Sequence, residues 1–350
     1  MVLIVPHDRD EIVDGVRIRA VPKPKGRMER MTRTAWQVYK AALEEHADLY
    51  HVQNEPELLP WAQLLRLKGK RIIYDMHENS PKALPTKPWI KPLFRPLITI
   101  LYQGFEKLLL RKTPVIYAEE SYLKDYTWVN KSVTVLNMPL TSQLLEIDET
   151  KYLSPTIGYL GGVTPERGSL ITLEALKILK EKGYLVDWEC LGPASNEHKE
   201  ELINTIERYE LEGIRIRGYV LPFKGWRIIV RCHIGLALLK SLPNYYESYP
   251  TKLFEYMALG IPVITSSFPL YRRVVEKEQC GICVDPENPK EIAQAIQWLL
   301  DNPDKAEAMG KRGREATLKK YNWDNEAVKM LDFYEAILNQ NNESRPEKII

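Results

Sequence analysis

The chain has 350 residues, 44% hydrophobic and 27% charged, a balance that excludes a disordered or fibrous protein and suits two α/β domains. Its 49 basic and 47 acidic side chains leave a formal charge of +2, so nothing calls for nucleic acid as a partner. No apolar run reaches the length of a membrane span, and the polar stretch His7–Asp10 closely follows the first apolar residues, which excludes an ordinary signal peptide and predicts a cytoplasmic protein.

Short runs rich in Val, Ile and Leu alternate with longer segments of helical period, the pattern of parallel sheets covered by helices. In the first half the spacing predicts strands at Val2–Val5, Val16–Val21, Asp48–His51, Arg71–Asp75, Pro114–Ala118 and Val133–Leu136. Helices are predicted at Thr32–His46, Leu58–Lys68 and Lys91–Arg111. Asn137-Met138-Pro139 breaks the pattern, and Thr141–Ser154 reads as an interdomain linker. The second half restarts with strand Thr156–Leu160 and helix Ser169–Lys182, then strand Leu185–Cys190, helix Asn196–Tyr209 and strand Ile214–Arg217. Helix Pro222–Arg231, strand Ile234–Leu239, helix Pro250–Leu259, strand Pro262–Thr265 and helix Leu270–Glu276 follow. Helices Pro289–Asp301, Asp304–Lys320 and Trp323–Gln340 end the chain, with a frayed tail. The expected fold is therefore α/β, with two Rossmann-like domains at 1–140 and 141–320 facing a cleft, and a last segment at 321–350.

The start departs from this plan. Asp14-Gly15 is a turn signal that leads from the first strand candidate straight into another strand. A Rossmann-like lobe opens with a strand, a glycine turn and a helix, and no such unit precedes Met1. One strand–helix unit of roughly 30 residues is expected to be missing, either because the lobe is unusual or because the sequence is truncated.

The segment richest in chemistry is Glu247-Ser-Tyr-Pro-Thr-Lys-Leu-Phe-Glu255-Tyr-Met-Ala-Leu-Gly260-Ile-Pro262. Ser241–Tyr249 is a loop at a strand's carboxyl end, where open α/β sheets bind ligands. Pro250 suits the first helical position, Gly260 the C-terminal cap, and Pro262 forbids continuation. The helix would aim free amides and its positive dipole end at a diphosphate. Lys252, in the first turn, has the wrong charge for that dipole, at a cost of roughly 0.3–1 kcal/mol that a bound anion would relieve.

Glu247 and Glu255, separated by seven residues, resemble the E-x7-E motif of the retaining glycosyltransferases of family 4, also called group 1. The run from Pro250 to Ile264 is similar to a version found in enzymes of cell-surface polysaccharide synthesis. The resemblance implies a GT-B fold and transfer of a sugar from a nucleoside-diphosphate sugar to a sugar or lipid-linked sugar acceptor. It implies no cofactor and no metal. It gives Glu247 a contact with the transferred sugar and Glu255 the ribose, with Ser248, Tyr249 and Thr251 beside them on the donor.

A second match is Ile157-Gly-Tyr-Leu-Gly161-Gly162-Val-Thr-Pro-Glu-Arg167-Gly168, a strand ending in paired glycines that lets the backbone approach a ligand. Gly162 stands where the family often has an arginine, and Arg167 stands at its lysine position, so Arg167 and Lys252 are the expected diphosphate ligands. Gly218-Tyr219-Val220 resembles the turn that receives the nucleotide base, and Leu191-Gly192-Pro193 a strand-end turn facing the cleft. In the first half, His51-Val-Gln53-Asn54 resembles an H-x-H-D segment in which Gln53 and Asn54 replace the second histidine and the aspartate. His77, in Asp75-Met-His77-Glu78, matches a histidine beside the reacting carbon and is by that resemblance a catalytic candidate with Glu247, Arg167 and Lys252, while His51, Asn54 and Glu78 are the acceptor-side candidates. By the same resemblance, residues 1 to 5 correspond to the family's second strand, and the last helix crosses back to the first lobe.

Asp8-Arg9-Asp10 fits the D-x-D pattern of metal-dependent transferases but reads more simply as a polar loop. Cys280-Gly281-Ile282-Cys283 has the spacing of half a zinc site with no matching second pair, and the four cysteines make no disulfide framework. Lys87–Lys112 interleaves Trp89, Phe94, Tyr102 and leucines with Lys91, Arg95, Arg111 and Lys112. The simpler reading is an ordinary amphipathic helix on the sheet; the other is peripheral contact with anionic lipid at the inner face of a membrane. Two rival functions remain open, a sugar-nucleotide epimerase on the same fold and a non-catalytic nucleotide-sugar-binding protein.

Overall fold

The computed structural model describes residues 1–53, 55–86 and 90–339. They form two compact units, Met1–Leu136 with the chain from Ala327, and Asn137–Glu326.

In the first unit, β1 (Val2–Pro6), β2 (Glu11–Val13) and β3 (Val16–Val21) make a three-stranded sheet in the order β1-β3-β2. Asp14 and Gly15, both at positive φ (49° and 78°), turn β2 antiparallel onto β3. The strand feeding that turn is thus Glu11–Val13, which the sequence reading passed over because three residues with one inward position show no alternation. β1 instead pairs parallel with β3. A separate sheet holds β4 (Tyr50–Gln53), β5 (Ile72–Met76), β6 (Val115–Tyr117) and β7 (Ser132–Thr134), all parallel and in sequence order. β4 lies two residues beyond the predicted Asp48–His51 because Tyr50, not Asp48, enters the core. There it packs with Tyr39, Ala62, Leu65 and Ile72 from helices Ala35–Glu44 and Leu59–Leu67 and from β5.

Helix Arg95–Leu110 is not the ordinary amphipathic helix the sequence suggested. Glu106 and Leu110 are its buried residues, and Arg95, Thr99, Tyr102 and Leu109 are half-buried. Leu97, Ile98, Ile100, Leu101, Phe105 and Leu108 all face outward. Lys87 and Trp89 of that stretch, together with Asn54, Gln340 and the tail, lie outside the described residues.

The second unit is one six-stranded parallel sheet: β8 (Thr156–Leu160), β9 (Asp187–Leu191), β10 (Ile214–Ile216), β11 (Ile234–Ala237), β12 (Val263–Ser266) and β13 (Gly281–Val284). Their order is β10-β9-β8-β11-β12-β13. The chain moves outward from β8 in one direction and from β11 in the other, so the β8–β11 boundary is a topological switch point, the place where such sheets bind ligands. The core around it is built from Ile157, Trp188, Leu236, Ile264, Leu173 and Ile296, each fully or almost fully buried and each contributing about 1.5–3 kcal/mol by leaving water. The predicted linker at Thr141–Ser154 contains a helix, Thr141–Leu145, anchored by fully buried Leu144.

Helix Thr251–Ala258 follows the loop after β11. Pro250 caps it rather than occupying its first position, and Gly260 (φ +70°) ends it. Five of its eight residues, Leu253, Phe254, Tyr256, Met257 and Ala258, are at most 1% exposed. The Tyr256 hydroxyl accepts from Leu160 N at 2.9 Å, tying the helix to the end of β8.

Candidate functional site

Three strand ends of the second unit converge on glycines. Gly161, after β8, donates its N–H to Leu191 O at 2.9 Å, and Gly192, after β9, donates to Gly218 O at 2.7 Å. A Cβ on Gly192 would stand 1.7 Å from Gly161 O, so only glycine allows the two turns to lie this close. Gly161 and Gly192 both hold positive φ, +139° and +147°. The Tyr159 hydroxyl donates to Gly162 O at 2.6 Å and fixes the turn from below.

Two cations face this turn. Arg167 leaves the single turn Pro165–Arg167 half-buried, with its guanidinium 6.0 Å from the Tyr245 ring centre and Nη1 3.7 Å from where a Gly162 Cβ would stand. Lys252, on the first turn of helix Thr251–Ala258, is only 7% exposed. Its Nζ lies 3.7 Å from the Tyr159 ring centre and 3.0 Å from where a Gly161 Cβ would be. The ring offers it a cation–π contact, but the ammonium has no hydrogen-bond partner among the described residues. Burial, reinforced by the charge of Arg167, pushes the lysine pKa down to about 7, against a weaker pull from Glu255. A buried ammonium aimed at a glycine turn beside a guanidinium, with no anion of its own, is chemically a site for a polyanion.

The structure thus brings Gly161, Gly162, Arg167 and Lys252 to one place. Glu255 is half-buried on the same helix, its carboxyl pushed above the usual range by burial and pulled back by Trp226 and Lys252. Glu247 is exposed and follows the short helix Pro243–Tyr246. Ser248 and Tyr249 are half-buried, Tyr249 edge-on to Phe254 at 5.5 Å, and Thr251 is exposed. Tyr219 is exposed and Val220 half-buried in the turn after β10, joined to the glycine cluster through the Gly192–Gly218 bond. Tyr159 and Tyr245, the aromatic neighbours of the two cations, escaped the sequence reading, although Tyr159 sits two residues before Gly161 within the matched segment.

The first unit holds a second cluster. Asp75 Oδ2 accepts from Nε2 of His51 and from Nε2 of His77, both at 3.0 Å. Tyr334, from the final helix Trp323–Asn339, donates its hydroxyl to His51 Nδ1 at 2.6 Å. With Nε2 donating and Nδ1 accepting, both nitrogens of His51 are used and its tautomer is fixed. Burial alone would raise the Asp75 pKa, but the two imidazoles outweigh it and hold the carboxyl at about 2. Asp75 in turn raises the pKa of His77, whose backbone oxygen accepts from the Tyr122 hydroxyl at 3.1 Å. Glu78 is exposed, and Asn54 falls outside the described residues. Asp75 is not marked as a site residue in the sequence because His51 comes from another strand and is held in turn by Tyr334; an aspartate two positions before His77 at a strand end is the local signal.

Asp8 pairs with Lys23 at 2.7 Å and Asp10 accepts from Ala20 N at 2.7 Å, so the D-x-D stretch serves the hairpin as a polar loop. Cys280 immediately precedes β13 and Cys283 lies within it, a four-residue strand whose opening Gly281 reads as a turn in the sequence; burial pushes both thiols up to about 12. Among the described residues no three His, Cys, Asp or Glu side chains are grouped to hold a metal ion.

Residues 146–316 match the family described as Glycosyl transferases group 1. Spore coat protein SA of Bacillus subtilis is 36% identical over 180 residues, 51% of this chain and 48% of that protein, so the chain spans about half the length of this relative. The phosphatidyl-myo-inositol mannosyltransferase of Mycobacterium leprae is 26% identical over 293 residues, 82% of this chain and 72% of that one. Among solved structures, Anabaena Alr3699/HepE, determined with UDP and glucose, superposes with a TM-score of 0.68 over 92% of this chain and 86% of its own, at 14% identity. That likeness is one of fold: two Rossmann-like units of the GT-B class.

Proposed function

We propose that the protein is a retaining glycosyltransferase that takes a sugar from a nucleoside diphosphate and passes it to a hydroxyl of a sugar or lipid-linked acceptor, in cell-surface polysaccharide or glycolipid synthesis. The observation that carries this reading is Lys252: a buried ammonium without a hydrogen-bond partner among the described residues, beside Arg167 and the Gly161-Gly162 turn. The family match over residues 146–316 and the UDP-bound structural relative support the same choice of ligand.

In this reading the diphosphate lies against the glycine turn, with Arg167 and Lys252 on its oxygens. The bond between the sugar's anomeric carbon and the diphosphate oxygen breaks, and the leaving charge grows where the two cations stand, which lowers the barrier. The acceptor oxygen forms the new bond on the same face of the sugar, and its proton passes to the departing phosphate. Glu247 orients the sugar, Glu255 with Ser248, Tyr249 and Thr251 holds the sugar–ribose side, and Tyr219 and Val220 border the base. His77 stands beside the reacting carbon, and His51, Asn54 and Glu78 serve the acceptor. The two fixed cations supply the charge that this step needs, so the proposed reaction is independent of metal and cofactor.

Thermal melting with UDP, GDP, ADP and their sugar conjugates tests it, on wild type, Lys252→Met and Glu255→Ala. One nucleotide series should raise the melting temperature of the wild type, with the shift lost in Lys252→Met and reduced in Glu255→Ala. No shift with any nucleotide, or an equal shift in Lys252→Met, would overturn the reading.

A further inference from the structure

Helix Arg95–Leu110 is built inside out. Thr99, Tyr102 and Glu106, spaced three and four residues apart, turn toward the protein, whereas Leu97, Leu101, Phe105 and Leu108, at the same spacing, form the opposite face. Leu101 and Leu108 are 63% and 78% exposed, and Leu93, in the turn Pro92–Phe94 that leads in, is 84% exposed. Ile98, Ile100 and Phe94 widen the patch. Scattered exposed apolar residues need no explanation, but a contiguous face of eight does.

We propose that this face is the surface by which the protein lies on an anionic bilayer. The surrounding charge selects that occupant. Lys91, Lys107, Arg111 and Lys112 are exposed around the patch, and the only carboxylate between residues 91 and 112 is Glu106, which is buried on the inward side. The segment therefore presents cations and apolar side chains to the outside with no outward acid, the composition that binds in the plane of an acidic lipid surface. A second copy of the chain docking through the same face would bring like charges together. The 16-residue helix is roughly 24 Å long, suited to lying along a membrane, and no described helix is long and apolar enough to cross one. A cavity of about 430 Å³ lined by Asn79, Asp125 and Trp128 also takes Ile100, Gln103 and Lys107 from this helix, so it opens beside the docking face, where the polar head of a lipid-borne acceptor would arrive.

Vesicle co-sedimentation of the full chain tests this without any donor, so its result is independent of the nucleotide-site reading. Wild type should bind vesicles of equimolar phosphatidylcholine and phosphatidylglycerol, bind phosphatidylcholine alone about tenfold less, and be released by salt. The variant Leu97→Gln/Leu101→Gln/Leu108→Gln should bind the acidic vesicles at least about tenfold less at an unchanged melting temperature, because these side chains are exposed. Equal binding to both vesicle types, or undiminished binding by a folded triple variant, overturns the proposal. So does a wild-type dimer that the triple variant converts to monomer, which would assign the face to a second copy.

Discussion

Lys252 and Asp75 are both buried charges whose folded-state pKa values lie below the ordinary ones, so each makes stability rise with pH, but in separate windows. The folded-state pKa of Lys252, about 7, lies below its ordinary 10.5. Between those values the unfolded chain binds more protons, so this residue makes stability rise with pH across that window. Replacing it by methionine removes the penalty of a buried ammonium. Lys252→Met should be more stable than wild type at neutral pH by about 1–4 kcal/mol, read from denaturant midpoints; a less stable variant would show that the ammonium is already compensated. Anion binding requires the charged form. Diphosphate affinity should therefore weaken by up to about tenfold per pH unit above about 7, and a calorimetric Kd that stays flat through that range would remove Lys252 from the site. For Asp75 the folded pKa of about 2 lies below the usual 3.8, a difference of 3.8 − 2 = 1.8. Its contribution, about 2 kcal/mol, is present above about pH 4 and lost as pH falls toward about 2. Asp75→Asn should lose that acid-dependent part and release His51 and His77, flattening the stability profile between these limits. An acid limb identical to wild type would mean the two imidazoles do not hold the carboxylate.

At the level of elements, the glycine turns set how close backbone can come to a ligand. Gly192→Ala places a Cβ 1.7 Å from Gly161 O and must push the two turns apart. Gly183→Ala is its control, since that glycine is also left-handed (φ +86°) but has nothing within 4 Å of the new atom. Both substitutions carry a backbone penalty of about 1–2 kcal/mol, and only Gly192→Ala should add an overpacking term of about 1–3 kcal/mol together with loss of nucleotide-induced stabilisation. Equal melting temperatures for the two variants would mean the turn yields freely. These same elements show what the sequence made legible. In the second unit, β8, β9, β11 and β12 could be read to within two residues because parallel strands buried on both sides are continuous apolar runs between helices. The misplaced charge of Lys252 was also visible, since the cap and stop residues of its helix fix where the first turn lies. Strands β2 and β13 were not legible, one too short to alternate and the other only four residues long and opened by a glycine that reads as a turn. The inverted helix Arg95–Leu110 was not legible either, because periodicity locates two faces without saying which is inside.

Across the whole molecule, the chain divides into two units with separate cores, and the proposed polyanion site lies within one of them. The Lys252 cluster belongs to Asn137–Glu326, whereas the Asp75 cluster belongs to Met1–Leu136 and the final helix. A ligand that binds only the folded second unit stabilises that unit by mass action, about 2.7 kcal/mol at a hundredfold excess over Kd. For a unit of this size that corresponds to a rise of roughly 5–11 °C. Scanning calorimetry with the nucleotide that binds should therefore show two transitions, only one of which moves. Asp75→Asn should shift the other at low pH and leave the nucleotide-sensitive one in place. A single transition that moves as a whole would show that the units unfold together. A nucleotide shift confined to the transition that Asp75→Asn perturbs would put the ligand in the first unit and remove the Lys252 cluster as its site.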